Sequence, residues 1–172
     1  MKITHKFLKR LSLISILCTA IALSMHFVEQ AHAAAGEHIV VIVNAANPVD
    51  NLSLSDLKKL WLSDKSHWDS GKAVAPVMLA AGAPERAAFL KIVCGMNDAD
   101  FSKYFLQAAF TGKSATPPKE VGGAASVKST VGSSPGAIGF VKVSEYSPSD
   151  ASIKAVKVDG AAADDPAYKL KM

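Results

Sequence analysis

The stretch SSPGAIGFVKV, Ser133 to Val143, sets a proline and two glycines into an otherwise apolar run. Ala137, Ile138, Phe140 and Val141 have the composition of a sheet-buried strand, and Pro135-Gly136 just before them stops a helix and turns the chain. Gly136 is expected to supply a backbone angle with φ above zero. Gly139, inside the strand, is expected to let a helix or another backbone approach closely. The stretch therefore reads as the junction between a helix and a covered strand, which points to a layered α/β domain.

The flanking segments agree. Residues near Val121 to Val131 form a weaker helical pattern with Val127 and Val131 inward, and Ile153 to Val158 reads as a last strand. Upstream, His38 to Asn44 (HIVVIVN) is a continuous β-branched run, the pattern of a strand buried on both faces. Ser53-Leu54-Ser55-Asp56 is a helix start, with Ser53 able to cap and Asp56 placed where negative charge suits the dipole. Leu54, Leu57, Leu60 and Trp61 continue it at helical spacing to about Ser63. Asp69-Ser70-Gly71 turns the chain into a second strand, Ala73 to Leu79.

Ala81-Gly82-Ala83-Pro84-Glu85 then supplies a glycine turn, a proline suited to the first helical position and an acid in the first turn. That helix runs to about Cys94, where Gly95 can close it. Asn97 or Asp98 caps the next helix, in which Phe101, Phe105, Leu106 and Ala109 recur at spacings of three and four. Thr111 to Pro118 is a loop, and the tail Asp164 to Met172 reads as extended or frayed. Strands separated by helices predict an α/β architecture, a central sheet flanked by helices.

Residues 1–33 carry the zones of a secretory signal peptide: Lys2, Lys6, Lys9 and Arg10, then apolar Leu11 to Leu23, then Ala31-His32-Ala33 as a cleavage site. The expected mature domain is residues 34–172, periplasmic or secreted, with no membrane span after cleavage. Leu17 before Cys18 disfavours lipid attachment, which wants a small residue there. Removing four Lys/Arg and one Glu lowers the net charge from +4 to +1, so basicity gives no argument for nucleic acid. Only Cys94 survives cleavage, and a single thiol makes no internal disulfide.

Few stretches carry chemistry. Gly112-Lys113-Ser114 resembles the end of a phosphate-binding loop, but Gln107 stands where the first glycine is required. His38 and His67 lack partners at ligand spacing, so no metal or other cofactor is expected. Cys94 lies on an apolar helix face, and the acid pairs Asp98/Asp100 and Asp164/Asp165 sit at a helix start and in the tail. No catalytic residues are assigned, and an enzyme is not expected. The remaining candidate is an anion site at the junction Leu79 to Arg86, where a helix start offers free N–H groups and Arg86 a bidentate grip. Pro84 deletes one donor there, and Glu85 adds a negative charge at the same pole.

The order of pieces resembles the phosphate-binding substrate proteins of bacterial ABC transporters, a branch of the type II periplasmic binding proteins. "LSLSDLKKLWLSDKSHWDSG" is similar to the family's helix and Gly-Lys-x-x-x-Trp turn, "ERAAFL" to its helix ending in Phe, and "SSPGAIGFV" to its Pro-Gly-Ala-Ile-Gly-Tyr-Val strand. The resemblance implies one lobe of a protein that ordinarily has two. It implies phosphate or another small anion as ligand and an ABC permease or envelope protein as partner, with no nucleic acid. The family holds phosphate with an arginine in the strand-to-helix loop and a Ser-Gly-Thr at the helix start, and Leu79 to Glu85 has neither. The expected ligand contacts are therefore Gly82, Ala83 and Arg86, with Lys113 as a second contact. The alternative is a non-catalytic envelope interaction module that kept the lobe and lost the ligand.

Overall fold

The computed structural model describes residues 37–172, and the expected signal peptide lies outside them. Six strands form one sheet: β1 (Ile39–Asn44), β2 (Asn51–Leu52), β3 (Ala75–Leu79), β4 (Lys119–Val121), β5 (Ala137–Lys142) and β6 (Ile153–Val158), in the order β2-β6-β1-β5-β3-β4. β3 runs parallel to both β5 and β4, whereas β1 is antiparallel to β5 and β6. All six residues of β1 are buried, as a strand in the middle of a two-sided sheet requires.

The helices are α1 (Leu54–Trp61), α2 (Pro84–Phe89), α3 (Asp98–Phe110) and α4 (Ala124–Ser133). Ser53 Oγ accepts from the Asp56 N–H at 3.0 Å as expected, and Asn97 Oδ1 accepts from the Asp100 N–H at 2.9 Å, so of the two candidates Asn97 and Asp98 it is Asn97 that caps α3. α2 runs on into a π-helical segment, Leu90–Cys94, which Gly95 closes at φ 71°. Cys94 is buried within it, and desolvation pushes its thiol up to about 11, which keeps it protonated and inert at neutral pH.

Packing differs between the two sheet faces. Phe140 of β5 stacks on Phe89 of α2 with ring centroids 4.1 Å apart, and Trp61 of α1 lies 4.6 Å from Phe89. One residue earlier, Gly139 points the opposite way, as strand alternation demands. A Cβ on Gly139 would stand 2.7 Å from Val127 and 3.1 Å from Val131, so the glycine is what lets α4 lie on the sheet. That close approach is the one expected from the sequence.

Gly136 has a different task from the one expected. It is not in the left-handed region; instead a Cβ there would fall 2.1 Å from the backbone oxygen of Ala73. Its own carbonyl accepts from Trp68 Nε1 at 2.9 Å and from the Ala75 N–H at 3.0 Å, so the two backbones are held in contact. Gly136→Ala should therefore destabilise by about 3 kcal/mol, at the upper end of overpacking costs, because a backbone atom cannot rotate away. Urea denaturation checks this; a loss of under about 0.5 kcal/mol, the scale of an ordinary surface substitution, would refute the contact.

Three other expectations are corrected. β2 and β4 are short strands that no local run of apolar residues announces; Val121 closes β4 instead of opening the helical pattern, and Lys119 and Glu120, assigned to no element, enter the sheet with it. In α3 the buried residues are Phe101, Phe105 and Ala108, while Leu106 is exposed. The tail is docked rather than frayed: Tyr168 and Leu170 are buried, the Ile39 N–H donates to the Leu170 carbonyl at 2.9 Å, and the Met172 N–H to that of Glu37 at 2.8 Å. Period-two alternation places both large side chains on the core side, a signal that a nine-residue tail is too short to make conspicuous.

Candidate functional site

The carboxyl ends of β3, β4 and β5 and the start of β1 meet at one end of the sheet. There the chain leaves β3 at Leu79, turns at Gly82 with φ 90°, and enters α2 from Ala83, an extended N-cap residue with no side-chain cap. Gly82 is exposed and Ala83 half-buried. Pro84 lacks an N–H, and the Ala87 N–H donates to the Ala83 carbonyl at 3.1 Å. The N–H groups of Glu85 and Arg86 therefore belong to the unpartnered first turn of the helix.

Arg86 stands at this junction, and the protein holds its guanidinium through Nε and Nη1. Nε donates to Asp98 Oδ1 at 2.5 Å, and Nη1 donates to Glu120 Oε1 at 2.6 Å and to the Leu79 carbonyl at 2.9 Å. The side chain is only 3% exposed. Burial works against its charge, but the hydrogen bonds to Glu120 and Asp98 outweigh it and raise the guanidinium above its ordinary value. Phe101 of α3 lies beneath it, 5.9 Å from the ring centroid. Arg86 thus ties α2 to α3 and to β4. The sequence marks Asp98 only as a cap candidate and a member of an acid pair at a helix start, and does not mark Glu120; neither is legible as a partner of Arg86, since they stand 12 and 34 residues away and share no motif with it.

The second cation at this end is Lys142, at the end of β5. It lies 3.3 Å from Glu37 and 3.4 Å from Glu85, and the hydrogen bond to Glu37, more than that to Glu85, raises its pKa. Glu85 is itself buried in the first turn of α2, where it complements the helix dipole. Around the junction two cations face four carboxylates: Glu37, Glu85, Asp98 and Glu120. The local field repels anions, and attraction is left to backbone N–H groups.

Lys113 is not brought to the junction. It follows α3 and donates to Asp64 Oδ1 at 2.7 Å and to the Tyr104 hydroxyl at 2.6 Å, which holds its pKa up at about 12. Asp64 follows α1, beside the amino ends of β3 and β4, so Lys113 and Gly82 are associated with opposite ends of β3. The structure brings together Gly82, Ala83 and Arg86 and separates the fourth expected residue. Among the described residues no group of three His, Cys, Asp or Glu side chains could hold a metal ion, and no helix is long and apolar enough to cross a membrane.

No family model matches the sequence. Solved structures do match the fold. A candidate phosphate ABC transporter substrate-binding protein from Clostridium perfringens, solved with bound phosphate, superposes with a TM-score of 0.60 at 27% identity over 75% of this chain and 48% of its own. An ABC-type phosphate transport receptor from Vibrio cholerae also reaches 0.60, at 20% identity over 75% of this chain and 49% of its own. PstS from Borrelia burgdorferi gives 0.60 at 10% identity over 74% and 49%. The matched region spans about half the length of each of these relatives. This chain has the fold of one lobe of the phosphate ABC transporter substrate-binding proteins.

Proposed function

We propose that the protein is an exported solute-binding protein of the phosphate type, which holds phosphate or a similar small anion and works with an ABC permease. The observation that carries this reading is the backbone match to a protein solved with phosphate bound. The ligand would sit on the loop from Ala80 to Ala83, at the entrance to α2. Arg86 is paired with Asp98 and Glu120, so affinity rests on backbone N–H donors and on Gly82, whose φ of 90° lets the chain turn there. The signal-peptide pattern of residues 1–33 supports export.

A second reading, a non-catalytic interaction module of the envelope, is favoured by one observation: the carboxylate excess around the junction. Thermal melting of the purified protein against phosphate, with chloride at matched ionic strength, separates the two. Binding to the native state alone raises the melting temperature progressively, by the equivalent of about 2.7 kcal/mol at a hundredfold excess over Kd. A flat response to about 10 mM phosphate sinks the anion reading, because affinity weaker than millimolar corresponds to less than about 4 kcal/mol. If stabilisation appears, Ala81→Asp in the exposed loop should abolish it by repulsion. Arg86→Ala does not serve as a site probe, because it also breaks the ion pairs that hold α2 to α3 and β4.

A further inference from the structure

The other end of the sheet carries a cavity of about 430 Å³ at the amino ends of β3 and β4. Its walls are the end of α1 with the loop Ser63–His67, the segment Ala73–Pro76, and the segment Ser114–Lys119. Three features set it apart from the junction at the carboxyl ends. First, its lining contains Lys65, Lys119, His67 and four hydroxyl side chains but no carboxylate. Second, Lys119 is in no ion pair among the described residues, whereas Lys65 is neutralised in part by the exposed Asp69 at 2.8 Å. Third, the walls are tied to each other: Ser63 Oγ donates to the Thr116 carbonyl at 2.6 Å, and Ser63 is held at φ 58°, a conformation costly for a residue with a Cβ.

The remaining lining is apolar, with Leu60, Val74, Pro76 and Pro117 among it. An inorganic ion would leave this surface and most of the volume unused, since the volume falls in the range that accommodates organic ligands. We propose that this cavity is a binding site for a small organic anion, its carboxylate directed to Lys119 and the hydroxyl side chains and its short apolar body against Leu60, Val74, Pro76 and Pro117. Lys119 can supply an uncommitted charge because β4 holds its backbone in register with Val77 while the side chain stays exposed. The site is independent of phosphate at Gly82, which lies past the opposite end of β3.

The test is an amide chemical-shift titration of the purified protein with hexanoate, using hexan-1-ol as the neutral isostere. Saturable shifts are expected at Ser66, Thr116 and Lys119, with a Kd below about 10 mM and hexan-1-ol at least roughly tenfold weaker. Lys119→Gln, an exposed change that leaves the fold intact, should weaken hexanoate roughly fivefold, the scale of one partly screened charge contact, and leave hexan-1-ol unchanged. Linear shifts that never saturate, equal responses to acid and alcohol, or an unchanged affinity in Lys119→Gln would each overturn the proposal. Inorganic phosphate added alone should shift Gly82 and not Lys119; shifts at Lys119 with phosphate as strong as with hexanoate would refute the need for an apolar body.

Discussion

Arg86→Ala is expected to destabilise the domain by about 3 kcal/mol, which for its size shifts the melting temperature by roughly 10 °C. The guanidinium is almost wholly buried, and its loss removes three hydrogen bonds at once: those to Asp98, Glu120 and the Leu79 carbonyl. Removing one member of a buried ionic network commonly costs about 3 to 5 kcal/mol, because a charge is left stranded. The lower end applies, since the Asp98 and Glu120 side chains remain 35% and 54% exposed and are rehydrated once the arginine is gone. Arg86→Met separates charge from packing. It refills the volume over Phe101, so a full return of stability would mean that the ion pairs contribute nothing; recovery of less than half is expected. Denaturant midpoints for both variants decide the matter.

Deleting Asp164–Met172 is expected to unfold the domain. Nine residues appear dispensable by position, yet they insert Tyr168 and Leu170 into the core and hydrogen-bond to the chain at Glu37 and Ile39. Truncating either side chain alone should cost about 3 kcal/mol, as large-to-small core changes generally do. A domain of this kind has about 5 to 15 kcal/mol in total, so losing both, together with the backbone pairing, consumes most of the reserve. The deletion should give collapsed amide-proton dispersion in an NMR spectrum. Tyr168→Ala should remain folded with a lowered midpoint, and Lys171→Ala, exposed beside them, should match the parent. A truncated protein that keeps dispersed resonances would show that the tail only covers a core already complete.

The tail and Arg86 illustrate why the sequence was readable in some places and silent in others. Ser53 is legible as a cap, and the cap of α3 narrows to Asn97 or Asp98, because capping involves residues three apart. Gly139 was identifiable because a glycine inside a covered strand has few uses, and the contact with Val127 and Val131 fits one of them. Gly136 is ambiguous in the sequence because a turn glycine has two common causes, φ above zero and backbone crowding, and only the position of Ala73 discriminates. Nothing local in the sequence says whether Lys113 reaches Gly82. Which end of the sheet it reaches depends on how α3 returns to Asp64.

The junction after β3 holds the same lesson for function. Gly82, Ala83 and Arg86 could be located in advance, since a strand, a glycine and a proline-led helix follow one another within a few residues. Whether Arg86 is available to a ligand could not, because its acceptors come from α3 and β4. The sequence by itself determined the order and nature of the principal elements, the burial of β1 and β5, and the likeness to a phosphate-binding lobe. These follow from side-chain periodicity and turn chemistry, which act over a few bonds. Tertiary structure decided the strand order, the edge strands β2 and β4, the docking of the tail, the engagement of Arg86, and the location of the carboxylate-free cavity. Each of those rests on which distant side chains share a volume from which water is excluded, and that is settled only when the layers pack.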